Sequence, residues 1–169
     1  NQSRRQRQMC IRDSNITMGQ PLQQQPIAVV IEALFDLQIN QTKKGFYYKL
    51  VVQILTHESV RTYCVKNGLK DPKEFAKSII SGNQRFLTAK DLNKTYISKD
   101  FGFLFSPWNT PIEAVQSICK LLQLLLTTSD PDDNQQQESI HLYLALFRQL
   151  DLQSVSYTHL TLPTTLVVE

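Results

Sequence analysis

The sequence predicts an all-α fold, and three observations predict it. Apolar residues recur at three- and four-residue spacing along most of residues 25–153. Helix starts are marked by proline at Pro26, Pro72 and Pro111, the last two directly after a polar capping residue. The central region holds no Asn-Gly or Asp-Gly hairpin turn and no sustained alternation, so no strand pairing is expected. A chain of 169 residues suits one domain with one core, and 41% hydrophobic against 20% charged residues is a globular composition rather than a disordered one. The longest apolar run, Leu121 to Leu126, is broken by Gln123 and is too short to cross a membrane.

The first helix begins at Pro26, with Ile27, Val30, Ile31, Leu34 and Phe35 on one face. A polar break, NQTKKG, leads to a second helix built on Tyr47, Leu50, Val51, Ile54 and Leu55, so the two read as an antiparallel hairpin. A short third helix over 59–66 faces Val60, Tyr63 and Cys64 inward and stops at Gly68, which can take the left-handed C-terminal conformation. DPKEFAKSIISGN carries a cap at Asp71, proline at the first helical position, Glu74 to complete a capping box, and a stop at Gly82; Phe75, Ile79 and Ile80 form its inward side. Thr88 and Asp91 start another helix with Leu92 and Tyr96 buried. In SKDFGFLFSPWN, Phe101, Phe103 and Phe105 alternate ahead of Pro107 and Trp108, as in an extended segment or an aromatic plug across helix ends. TPIEAVQSICKLLQLLL repeats the start signals and is apolar over so much of its surface that it is expected at the centre, and a last helix over 138–151 packs through Ile140, Leu144 and Phe147.

These helices fall into pairs joined by short polar turns, a unit of about 40 residues, and in this they resemble the two-helix units of armadillo and HEAT repeats. The resemblance is generic and spans residues 25–153. It implies antiparallel helical hairpins stacked as an α-solenoid segment; an irregular helical bundle is the other arrangement the same pattern fits.

Candidate chemistry is sparse. His57 and Cys64 lie seven residues apart, about 10 Å along a continuous helix, too far for a base and its nucleophile. Cys64 and Cys119 therefore read as packing residues, His57 as a helix-end cation, and His141 as a residue bonded to backbone or water. Asp130–Asn134 lacks the glycine and distant glutamate of a calcium loop. No phosphate loop, HExxH or GxSxG motif occurs, and the three separated cysteines form neither a disulfide framework nor a zinc site. No catalytic, metal-binding or cofactor-binding residue and no cofactor is assigned. KKGFYYK, residues 43–49, mixes lysines with aromatics as a nucleic-acid surface does, but with Tyr47 assigned to the core too few rings remain for stacking. Phe101, Phe103, Phe105 and Trp108 are the one place where large apolar groups exceed what a small core hides, so they are the candidate partner-binding residues.

Both ends depart from this pattern. From Ser154 the helical spacing stops and the Leu–Thr alternation looks strand-like. RRQRQMCIRDS, residues 4–14, packs four arginines around Cys10 as a basic arm would. RQMCIRDS and VSYTHLTLPT, within 4–14 and 155–164, resemble translated sequencing-adapter sequence. The expected division is therefore a tail over 1–24, a single helical domain over 25–153 that is a fragment of a longer protein, and a second tail over 154–169, with Met18 a candidate native start. Residues 1–14 carry +3 and residues 154–169 carry −1, so of the chain's +3 only +1 belongs to 15–153. That near-neutrality argues against nucleic acid and membranes as partners. The expectation is a non-catalytic, intracellular (cytoplasmic or nuclear) scaffold segment that binds another protein or peptide; a helical accessory domain of an enzyme and an RNA-binding helical repeat are the alternatives.

Overall fold

The computed structural model describes residues 21, 24–95, 97–129 and 134–160. Among these residues the chain is predominantly helical: α1 (Pro26–Ile39), α2 (Tyr48–Thr56), α3 (Glu58–Lys66), α4 (Pro72–Ser81), α5 (Ala89–Asn93), α6 (Ser98–Phe101), α7 (Pro111–Leu126) and α8 (Asn134–Leu160), with a 3-10 turn at Gly102–Phe105. A two-stranded antiparallel ladder, β1 (Phe46–Tyr47) with β2 (Phe86–Leu87), is the exception to the expected absence of strands. Two residues per strand cannot display an alternation, and the partners lie 41 and 39 residues apart with no hairpin turn between them. Nothing local announces such a pairing.

α7 and α8 pack along each other as one hairpin, and α1 packs on α2 at one side and on α8 at another. α2 also meets α3 and α4, and α3 reaches α7. Val30, Leu34 and Leu37 of α1 join Val51, Ile54, Ile118, Leu122 and Ile140 in one continuous core. Phe35 was expected on this face but is exposed, because Ala28, Ala33 and Leu37 turn the buried side of α1 away from it. Ile80 is likewise exposed; Ala76 and Ile79 pack inward in α4.

The starts of α5 and α7 follow their caps closely. Thr88 and Asp91 form a reciprocal capping box, and the Thr110 hydroxyl accepts from Glu113 N–H at 3.2 Å. Gly68 takes φ +71° beyond α3, as its place in the sequence predicts. At the end of α4 the left-handed residue is Asn83, φ +54°, while Gly82 stays right-handed at −74°. Gly45 is required for a different reason: at φ +111° any Cβ there would overlap the Leu87 carbonyl oxygen where β1 meets β2. The last helix starts at Asn134 and runs through Leu160, so the strand-like reading of the tail from Ser154 fails over 154–160 and the helix crosses the expected domain boundary. A helix already nucleated extends at little further cost, which carries it into a Ser- and Thr-containing stretch of weak propensity.

Segment 98–105 is not extended; it is α6 followed by the 3-10 turn. Gln38 of α1 holds it in place. Its amide N–H donates to the carbonyls of Leu104 (3.0 Å) and Ser106 (3.1 Å), and its Oε1 accepts from Trp108 N–H at 3.2 Å. One side chain thus satisfies three backbone groups 66 to 70 residues away. Asp71 plays a similar double part: it caps α4 through Lys73 N–H at 2.9 Å and accepts a bidentate pair from Arg61 of α3 at 3.2 and 2.9 Å. The Arg61 guanidinium and the Lys73 N–H hold its carboxyl down at about 2.

Two consequences are measurable. Gln38→Leu strands those three backbone groups and should lower the unfolding free energy by about 2–4 kcal/mol in urea titration; a change near zero would show that water replaces the amide. Because the Asp71 carboxyl is depressed in the folded state, its contribution is present above the ordinary Asp value of 3.8 and is lost as pH falls toward about 2. Asp71→Asn keeps a capping side chain but loses the ion pair, so its stability should fall less steeply than wild type between pH 4 and 2.

Candidate functional site

The four aromatic residues expected to meet a partner divide into two pairs. Phe101 and Phe105 are buried, the first edge-on to Tyr63 at 5.1 Å and the second to Phe46 at 6.2 Å between ring centroids. They belong to the core, because the Gln38 bonds draw the 3-10 turn onto α1 and β1. Phe103 and Trp108 are half-buried at the surface: Lys120 Nζ sits 4.4 Å from the Phe103 ring centre, and Trp108 meets Phe35 edge-on at 6.1 Å. The Trp108 indole N–H is buried with no acceptor among the described residues.

His57 and Cys64 are not a catalytic pair. The helix breaks at His57, which is the N-cap of α3 rather than a helix-end cation. Its Nδ1 accepts from Ser59 N–H at 3.3 Å, which leaves the proton on Nε2 to donate to the Pro26 carbonyl at 3.0 Å. Burial lowers its pKa, in keeping with a neutral ring whose two nitrogens are both engaged. A cleft of about 320 Å³ opens beside it between Pro26, Glu58 and Gln135. Cys64 is fully buried and its thiol is pushed up to about 11, chiefly by desolvation; Cys119 is half-buried and also raised. No group of three or more His, Cys, Asp or Glu residues is placed to hold a metal ion among the described residues. Cys10, Met18, Tyr96, Asp130–Asp133 and residues 161–169 lie outside them.

Two surface features were not legible in the sequence. The first is on α8, where Leu142, Leu146 and Leu150 succeed one another at four-residue spacing on the side away from Ile140 and Leu144 and stay 49%, 38% and 49% exposed. Ile39 at the end of α1 is exposed as well. The second is a cleft of about 400 Å³ where the start of α2, the end of α4 and the β1–β2 ladder converge. Tyr47, Tyr48 and Phe86 line it together with Lys49, Arg85 and Asn83. Tyr47 is therefore not the helical core residue its spacing suggested: it lies in β1, half-buried, with its ring 5.3 Å from Tyr48 and 6.1 Å from Phe86. Tyr48 N–H donates to the Arg85 carbonyl at 3.1 Å, which ties the two halves of the cleft together.

Against protein-family models, curated proteins and solved structures, the chain returns no match. Among the described residues, no helix is long and apolar enough to cross a membrane.

Thiol labelling tests the inert reading of Cys64. In native protein at pH 8, iodoacetamide should modify Cys119 before Cys64, and Cys64 only on unfolding, as read by peptide mass spectrometry. Rapid native labelling of Cys64 would show a thiol far more accessible than its packing allows.

Proposed function

We propose that the chain is a non-catalytic helical module that binds another protein, and that it does so through the leucine ridge of α8. The ridge carries the reading. Three leucines in register along one exposed helix face offer the i, i+4, i+8 anchors that an amphipathic helix of a partner chain packs against. Burying them releases water from apolar surface, at about 25 cal/mol per Å² covered. Phe103 and Trp108 are half-buried against Lys120 and Phe35, and Phe101 and Phe105 serve the core. The packing of α1 against α8 supports an irregular closed bundle over an open solenoid, since in stacked repeats the first hairpin would meet only its neighbour.

Photo-crosslinking from position 146, followed by reconstitution with the purified crosslinked protein, tests this. Leu146→Glu with Leu150→Glu should weaken that complex by at least about tenfold while the thermal midpoint stays within a few degrees, because both side chains are already exposed. Unchanged affinity in the double variant would remove the ridge from the interface.

A further inference from the structure

The cleft between α2, α4 and the β1–β2 ladder combines two properties that the sequence order keeps apart. Residues 37–57 contain Lys43, Lys44 and Lys49 and no acid; residues 75–90 contain Lys77, Arg85 and Lys90 and no acid. The packing of α2 on α4 and the pairing of Phe46 with Leu87 and Tyr47 with Phe86 bring these two segments together. Of the residues these contacts bring to the cleft wall, Lys49 and Arg85 are cationic and none is a carboxylate, in a domain whose net charge over 15–153 is only +1. A near-neutral total does not describe this cleft, whose two charged lining residues are both cationic, and it is the local field that draws an anion.

We propose that this cleft binds a phosphate-bearing nucleobase, presented either as a free nucleotide or as one residue of a single-stranded nucleic acid. Three aromatic rings give a base a surface on which to stack, and this separates the site from a plain cationic patch. Lys49 and Arg85 line the same cleft, and neither side chain has a hydrogen-bond or ion-pair partner among the described residues, so both are available to phosphate oxygens. Asn83 is held at the rim by its left-handed backbone, and with Gln84 it supplies amide donors and acceptors for a base edge. No carboxylate lines the cleft, and the first turn of α2 beside it carries neither an acidic residue nor a side-chain cap. At about 400 Å³ the volume lies within the range of small-molecule sites, roughly 300–1,000 Å³. This site is separate from the leucine ridge and stands whether or not the ridge binds a protein.

Fluorescence anisotropy with a labelled single-stranded oligonucleotide, and calorimetry with a nucleoside monophosphate and with inorganic phosphate, test the proposal on the full chain. The arginines of residues 1–14 attract polyanions in every variant, so the readout is the difference between wild type and cleft variants. Tyr48→Leu keeps the bulk but removes a stacking face, and Arg85→Ala removes a phosphate partner; each should weaken nucleotide or oligonucleotide binding at least about fivefold with the thermal midpoint retained. Oligonucleotide binding much tighter than that of the monophosphate, with a steeper salt dependence, identifies the strand as the source, and equal affinities identify the free nucleotide. If inorganic phosphate or poly-glutamate binds as well as the nucleotide and Tyr48→Leu has no effect, the cleft is only a cationic patch and the proposal fails. It fails equally if no nucleotide or oligonucleotide binding distinguishes wild type from the variants.

Discussion

The amide of Gln38 is the contact on which the arrangement of this protein turns. Segment 98–108 has too few residues to make its own hydrogen-bonded ladder, and a 3-10 turn against a core leaves carbonyls without partners. Gln38 supplies what is missing from the far end of the sequence: two donors and one acceptor on a single planar group. Once the turn is fixed there, Phe101 and Phe105 enter the core and find Tyr63 and Phe46, and Trp108 is left at the edge against Phe35. The aromatic cluster that looks adhesive in sequence is mainly a device that closes the core around α1.

Much of the surviving surface chemistry follows from that closure. With Phe101 and Phe105 inside, an exposed apolar row remains on α8, whose inner side is occupied by α7 and α1 and whose outer side keeps Leu142, Leu146 and Leu150 in water. At the β1–β2 ladder the constraint is different. Gly45 lets the chain approach the Leu87 carbonyl, the two strands pair, and the basic and aromatic residues of two separate segments come to line one cleft. The His57 cap and the Asp71–Arg61 pair do the quieter work of joining α1 to the α2–α3 corner and α3 to α4, each with a polar side chain serving two elements at once.

The helices themselves were legible because their signals are local. Capping at Asp71, Thr88 and Thr110, proline after the cap at Pro72 and Pro111, and the three- and four-residue spacing of Val30, Leu34, Ile118 and Leu122 each act within a turn or two of chain. Candidate site residues were far less legible. Phe101 and Trp108 have the same character in sequence, and only the folding of the 98–108 segment onto Tyr63 and α1 separates the buried ring from the half-buried one. Tyr47 satisfied a helical spacing by coincidence and belongs to a strand of two residues, too short to declare itself. The cleft escaped detection because net charge is a sum over the chain, and a sum carries no information about where Lys49 and Arg85 lie.

By itself, then, the sequence determined the helical class, the caps that start α4, α5 and α7 and the inward faces of the longer helices, since these depend on neighbours within about four residues. Tertiary structure decided which aromatics are buried, that His57 caps a helix as a neutral acceptor, and that Lys49 and Arg85 line one cleft with Tyr47, Tyr48 and Phe86. Each of those outcomes is set by a partner 30 or more residues away: Pro26 for His57, Gln38 for the 3-10 turn, Leu87 for Gly45. Contacts at that separation form only when the chain has closed on itself, and so they leave no periodic trace along it.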